Sequence, residues 1–270
     1  MPFARVNGTM LYYRESGEGR LAVFIHGFPL DHSIWLDQLS GLAHVRRCVA
    51  LDLRGFGRSD PIVEPVLSME LLADDVAGLV EALGAEQADV IGLSMGGYVA
   101  LALWELRPEL VRTLTLVDTK SEGDTIEAKA GRQALIDKLL GAGRAAVAGE
   151  LSDSLLAPGT EPAARARLRS MVEGTRYETM IAAIEGMRSR PDRTGLLDSV
   201  SVPALVIGGE LDMLTPPSKM RGLAERINGA RTVIVPGSGH LPPLERPDPT
   251  NEALIELLEG RKVVWWRTDS

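Results

Sequence analysis

The stretch Val90-Ile91-Gly92-Leu93-Ser94-Met95-Gly96-Gly97-Tyr98 constrains this chain more than any other. Ala88, Val90 and Ile91 before the turn suit a buried strand, and Tyr98-Val99-Ala100-Leu101-Ala102-Leu103-Trp104 after it suits a buried helix. Between them the backbone must turn within a few residues. Gly92 and Gly96 lack Cβ atoms, so strand and helix can approach closely and strained angles cost little. Ser94 then stands at the apex of a G-x-S-x-G nucleophile elbow with its hydroxyl exposed. The helix amides that follow face any negative charge forming beside it. The plainer reading is a glycine-rich turn with an incidental serine, and the rest of the chain argues against it.

Strands and helices alternate around this unit. Residues 3–14 read as a hairpin with Asn7-Gly8 at its turn. Leu21–Ile25, Val49–Leu53, Thr113–Val117, Ala204–Gly208 and Thr232–Val235 read as short buried strands. Helices are predicted over Ser33–Leu42 with Ser33 as N-cap, Met69–Leu83 between Ser68 and Gly84, Pro217–Ile227 and Asn251–Leu258. From about Lys120 to Leu197 the texture changes to Ala, Arg, Glu and Leu, with helical spacing over Ile126–Leu140, Arg144–Leu156, Pro162–Glu173 and Tyr177–Arg188. This pattern predicts an α/β fold: a mostly parallel central sheet with helices on both faces, interrupted by an all-helical insertion. Chemistry in such sheets gathers at the carboxyl ends of the strands.

A serine is a weak nucleophile until a base takes its proton. Four histidines are available: His26, His32, His44 and His240. His240 lies in Pro236-Gly237-Ser238-Gly239-His240, a loop after the last predicted strand, where glycines let the chain curl and present the ring to Ser94. His26 is expected to brace its own loop by hydrogen bonds, His32 is ambiguous, and His44 reads as a surface residue. The base needs an acid to fix its tautomer and stabilise the imidazolium. Asp212, just past Ile207-Gly208-Gly209-Glu210-Leu211, ranks first; Glu210 and Asp118 are the alternatives. The tetrahedral oxyanion needs donors. The backbone N–H groups of Met95 and Phe28 are the candidates, and Phe28 and Pro29 are assigned to the substrate pocket. Pro29 has a fixed φ and restricts the residue before it, so it should also pre-aim the Phe28 amide.

Phe24-Ile25-His26-Gly27-Phe28-Pro29, Asp52-Leu53-Arg54-Gly55-Phe56-Gly57-Arg58-Ser59, Gly92-Leu93-Ser94-Met95-Gly96-Gly97 and Gly237-Ser238-Gly239-His240 together resemble the α/β-hydrolase superfamily. The order Ser94, Asp212, His240 is that family's order. Within it the chain looks most like small carboxylesterases, aryl esterases and 3-oxoadipate enol-lactonases. The resemblance implies a core of residues 1–119 and 198–270, a helical cap over 120–197, and an enzyme that uses no cofactor or metal. Its substrate would be a small-molecule ester or lactone, cleaved through an acyl-enzyme. Related haloalkane dehalogenases and epoxide hydrolases carry aspartate where this chain has Ser94. The same triad also serves C–C bond hydrolases, perhydrolases and cofactor-free haloperoxidases, and the fold serves some ligand receptors. A C–C hydrolase would need polar groups for a second carboxylate or enol; Arg188, Arg190 and Arg193 are the candidates, against the plainer reading of a solvated basic patch.

Charge and cysteine usage narrow the partners. A net charge of -8 argues against nucleic acid or an anionic membrane surface. The single cysteine, Cys48, forms no internal disulfide and reads as a core residue, which makes a cytoplasmic location the expectation. The start lacks a signal-peptide pattern. The tail Lys262-Val263-Val264-Trp265-Trp266 reads as packing on the body or a neighbouring subunit, which leaves a homo-oligomer open, or as an expression scar.

Overall fold

The computed structural model describes residues 2–260, and the tail around Trp265 and Trp266 lies outside the described residues. Eight strands form one sheet: β1 (Phe3–Val6), β2 (Thr9–Ser16), β3 (Leu21–Ile25), β4 (Arg47–Leu51), β5 (Ala88–Leu93), β6 (Val111–Val117), β7 (Ala204–Gly209) and β8 (Arg231–Val235). Their order is β1-β2-β4-β3-β5-β6-β7-β8. The β1–β2 and β2–β4 pairings are antiparallel and every later pairing is parallel. The Asn7-Gly8 turn joins the first hairpin, with both residues at positive φ. The central parallel strands are apolar on both faces because both faces are covered.

Nine helices accompany the described strands: α1 (Leu36–Gly41), α2 (Met69–Ala82), α3 (Met95–Leu106), α4 (Ile126–Leu155), α5 (Pro162–Gly174), α6 (Tyr177–Ser189), α7 (Pro217–Glu225), α8 (Pro242–Glu245) and α9 (Pro247–Glu259). Alternate residues of β3 enter two different apolar clusters. Val23 and Ile25 pack with α2, α3 and α7, whereas Ala22 and Phe24 pack with α1 and α9. Cys48 is buried in the second cluster, and burial pushes its thiol up to about 12, so it is an inert core group.

Three local readings need correction. The first predicted helix is two pieces, a 3-10 turn at His32–Trp35 followed by α1. Its cap is Asp31, whose carboxylate accepts the Ser33 N–H at 2.8 Å, so Ser33 is the capped residue. The last helix begins at Pro247, four residues before Asn251, because proline needs no N–H partner in a first turn. Strand β4 begins at Arg47 and ends at Leu51, which leaves Asp52 and Leu53 to the loop. By contrast, Ser68 caps α2 through the Leu71 N–H, and Gly84 follows that helix at φ 73°.

Helices α4, α5 and α6 all fall between β6 and β7. Helix α4 breaks at Gly143, whose φ of 82° and ψ of 173° are not helical. This insertion is tied to the loops at the carboxyl ends of the parallel strands. Thr175 Oγ1 donates to the Pro29 carbonyl, Thr179 Oγ1 to the Gly55 carbonyl, and the His240 N–H to the Leu155 carbonyl.

Candidate active site

The turn between β5 and α3 concentrates its strain on the serine. Ser94 has φ 51° and ψ -111°, a region that L residues seldom occupy. Its N–H donates to the Val117 carbonyl at 2.8 Å, and its carbonyl accepts from Thr119 Oγ1 at 2.7 Å, so the end of β6 and the loop after it hold the strained residue from both sides. The two glycines contribute proximity. A Cβ on Gly92 would strike the Gly96 carbonyl, and one on Gly96 would strike the Ile25 carbonyl. The strand-to-helix approach that the sequence requires is therefore backbone against backbone.

Ser94, His240 and Asp212 arrive from three different strand ends and form one hydrogen-bonded line. The Ser94 hydroxyl donates to His240 Nε2 at 3.0 Å, and His240 Nδ1–H donates to Asp212 Oδ2 at 2.7 Å. Histidine and aspartate are buried, while Ser94 keeps an exposed edge. Asp212 also accepts the Leu214 N–H at 2.8 Å and the Thr215 hydroxyl at 2.5 Å. Burial alone would raise its pKa. The hydrogen bond and charge of His240 outweigh burial, with help from Asp118 and Thr215, and hold the carboxyl well below its ordinary range.

The rival acids do other things. Glu210 is exposed and accepts the Gly237 N–H at 2.9 Å, which shapes the histidine loop. Asp118 is fully buried at the end of β6, with φ 39°, and its Oδ1 accepts the Gly209 N–H at 2.9 Å. Its Oδ2 has no hydrogen-bond partner. Burial, and then the neighbouring charge of Asp212, push its pKa well above its ordinary value, which favours its neutral form beside the ionised Asp212.

The remaining histidines fall where sequence puts them or are resolved. His26 Nδ1–H donates to the Gly27 carbonyl at 2.8 Å while Nε2 accepts the Leu53 N–H at 3.1 Å. Both ring nitrogens are thus spent on bracing the loop, and burial lowers its pKa. His32 donates to Asp52 Oδ1 at 2.8 Å, and the same carboxylate accepts the Arg58 N–H at 2.8 Å. His44 is exposed.

Met95 opens α3, where the first N–H groups have no intrahelical acceptor. Among the described residues neither its N–H nor that of Phe28 meets a protein acceptor. The Phe28-Pro29 peptide bond is cis. Phe28, Ser94, Thr215 and His240 share one cavity of about 310 Å³, whose wall continues over Leu135, Leu151, Leu155 and Met187 of the insertion. Pro29 is not on that wall. The chain turns back there through the Leu30 N–H to Gly27 carbonyl bond, and Pro29 is buried with its carbonyl engaged by Thr175.

Sequence reasoning overlooked Glu245. One carboxylate oxygen accepts the Leu241 N–H at 3.1 Å and lies 3.3 Å from the Ser238 hydroxyl. The other accepts the Ala157 N–H and the Thr160 hydroxyl, both at 2.7 Å. It therefore ties the histidine loop to the insertion. The only signal was a charged residue closing the apolar run Leu241-Pro242-Pro243-Leu244. Of the three arginines singled out in sequence, Arg188 pairs with Glu185 and Arg193 with Glu70 and Glu105. Only Arg190 reaches the region behind the cavity, where it packs at 4.1 Å over the Tyr98 ring.

Among the described residues, two trios bring potential metal-ligating atoms together: Asp31, His32 and Asp52, and Asp118, Asp212 and His240. In each the histidine is engaged by a carboxylate of its own trio.

Residues 22–247 match a family model described as alpha/beta hydrolase fold. A thermophilic esterase from Thermogutta terrifontis, solved with malate bound, superposes with a TM-score of 0.90 at 36% identity, over 96% of this chain and 97% of that one. The enol-lactonase from Burkholderia xenovorans superposes at 0.87 with 30% identity, over 96% of this chain and 100% of that one. A putative non-heme bromoperoxidase of Mycobacterium tuberculosis is 29% identical over 93% of this chain and 98% of its own length.

Proposed function

The chain belongs to the α/β-hydrolase family, and from that premise we propose that it hydrolyses carboxylic esters or lactones of small molecules through an acyl-enzyme on Ser94. The observation that carries this reading is the continuous line from Ser94 through His240 to Asp212 at the floor of the cavity. The similarity to an esterase and an enol-lactonase supports it.

His240 takes the Ser94 proton through Nε2 as Oγ attacks the carbonyl carbon. Asp212 keeps Nδ1 protonated and stabilises the imidazolium. The Met95 and Phe28 amides receive the developing oxyanion. His240 then gives its proton to the leaving alcohol, and afterwards takes one from the water that clears the acyl-enzyme. Residues 120–197 serve as a cap whose leucines and methionine enclose the acyl or alcohol side chain. The cavity lies at the small end of the usual ligand range of about 300–1,000 Å³, which points to small substrates.

A panel of p-nitrophenyl esters and small lactones, with Ser94→Ala as the blank, tests this. Hydrolysis by the wild type that vanishes in the blank is the expected result. Equal rates for both proteins, or no turnover of any ester or lactone, would overturn it. The bromoperoxidase relative favours a second reading, transfer of the acyl group to hydrogen peroxide. In that case peracid formation in carboxylate buffer with peroxide would exceed ester hydrolysis.

A further inference from the structure

One end of the cavity is not apolar. Lys120, Arg132, Tyr98 and Asp124 lie on the same wall system as Ser94. Among the described residues Asp124 is the only carboxylate lining the cavity, and its side chain is fully buried. Arg190 Nη1 donates to its Oδ1 at 2.7 Å, and Arg132 Nε donates to its Oδ2. Lys120 Nζ lies 3.6 Å from Oδ1, beyond hydrogen-bond reach. Three cations thus surround one anion. The nearby Glu122 pairs with Lys219 at 2.8 Å, and its charge also reaches Lys120.

The three cations are not equivalent. Arg190 is engaged through both terminal nitrogens: besides Asp124 it donates to the carbonyls of Met187 at 2.6 Å and Glu122 at 2.7 Å, and it stacks over Tyr98. Arg132 is anchored through Nε. Lys120 makes the longest contact of the three, at 3.6 Å from a carboxylate that both arginines already engage. It is half-buried, and burial, followed by the charge of Arg190, lowers its pKa, although the Asp124 carboxylate acts in the opposite direction. Lys120 also directly follows Thr119, whose hydroxyl holds the Ser94 carbonyl, so its backbone is fixed next to the nucleophile.

We propose that Lys120, with Arg132 and Tyr98 beside it, binds a free carboxylate on the substrate, so that the enzyme prefers anionic esters or lactones to neutral ones. The proposal rests on the ester-hydrolase reading and narrows its substrate class. Half-esters of short dicarboxylic acids, or lactones bearing a free carboxylate, place an anion a few atoms from the scissile carbonyl. The Asp124 cluster then does two jobs. Its arginines clamp α4 and the end of α6 to the core, and its unshared positive charge faces the substrate.

The test compares kcat/KM for the p-nitrophenyl half-ester of glutaric acid with that for neutral p-nitrophenyl pentanoate. The proteins are the wild type, Lys120→Met and Lys120→Arg, and binding of glutarate itself to Ser94→Ala is followed by calorimetry. The wild type should prefer the half-ester, and the preference should weaken as salt is raised. Lys120→Met should cut the charged-to-neutral ratio by about tenfold to a hundredfold, chiefly through KM, because a hydrogen bond to a charged partner is lost. Lys120→Arg should retain most of the ratio. Glutarate should bind Ser94→Ala and fail to bind the Ser94→Ala, Lys120→Met double variant, a result that holds whether or not either ester is turned over. No charge preference together with no glutarate binding overturns the anion site while leaving ester hydrolysis standing. An unchanged ratio in folded Lys120→Met overturns it too, and leaves the cluster as a clamp.

Discussion

The most exposing perturbation of this site is Asp118→Asn. Asp118 is fully buried, and its Oδ2 has no hydrogen-bond partner. Burial, then the charge of Asp212, drive its pKa well up, whereas Asp212 is held down against burial by His240. The opposed directions favour the protonated form of Asp118 and the ionised form of Asp212. Once the pH passes the ordinary carboxylate value, the unfolded chain loses a proton that the folded chain keeps. Folding is then opposed by about 1.4 kcal/mol for each further pH unit over which Asp118 stays protonated. The contribution of this group is intact below about pH 4 and is lost as pH rises toward its folded value. Asparagine keeps the oxygen that accepts the Gly209 N–H and cannot ionise. Asp118→Asn should therefore match the wild type near pH 4 and gain on it as pH rises, by up to about 1.4 kcal/mol per unit. Urea denaturation at pH 4, 5, 6 and 7 measures the gap, and kcat on a p-nitrophenyl ester should stay within about tenfold. A gap that does not change with pH would refute the protonated Asp118. A stable variant as inactive as Asp212→Asn would move the acid of the triad to β6.

The other predictions are shorter. Ser94→Ala and His240→Ala should each lose nearly all turnover with the fold intact, since members of a triad act as a unit; circular dichroism and ester assays on the two proteins check this. Asp212→Asn should lower kcat by about four orders of magnitude by presenting the wrong histidine tautomer. The same change should remove stability that is present above about pH 4 and lost as pH falls through the depressed folded pKa, the opposite sign to Asp118. Gly96→Ala should destabilise by at least about 1–3 kcal/mol, because its Cβ meets the fixed Ile25 carbonyl rather than a side chain that can move; a wild-type urea midpoint would contradict that. Glu245→Gln trades one of two oxygens that together face four donors for an amide with hydrogens of its own. It should lower kcat more than it raises KM, and unchanged kinetics would show that the histidine loop holds itself.

What was legible in the sequence was what sits beside its own strand. Ser94, Asp212 and His240 each follow a buried apolar run within a few residues, so local pattern alone puts all three at the carboxyl edge of one sheet. The bracing role of His26 was legible for the same reason. The cap of the first helix was harder to read, since Asp31 and Ser33 are both good capping residues two apart. The choice falls to Asp31 because Asp52, some twenty residues on, also holds His32 by its N–H and ring. The least legible features depend on groups brought together only by the insertion. Asp124 meets Arg190 across 66 residues, and Glu245 meets Ala157 across 88. No periodicity encodes either pairing, because each exists only after α4 and α6 have packed over the strand ends. The same packing sets both the histidine loop, through Glu245 and the Leu155 carbonyl, and the charged wall of the cavity. The proposed nucleophile Ser94 directly follows a strand of the sheet, but the residues proposed to choose its substrate belong to the β6 loop and the helices that follow it.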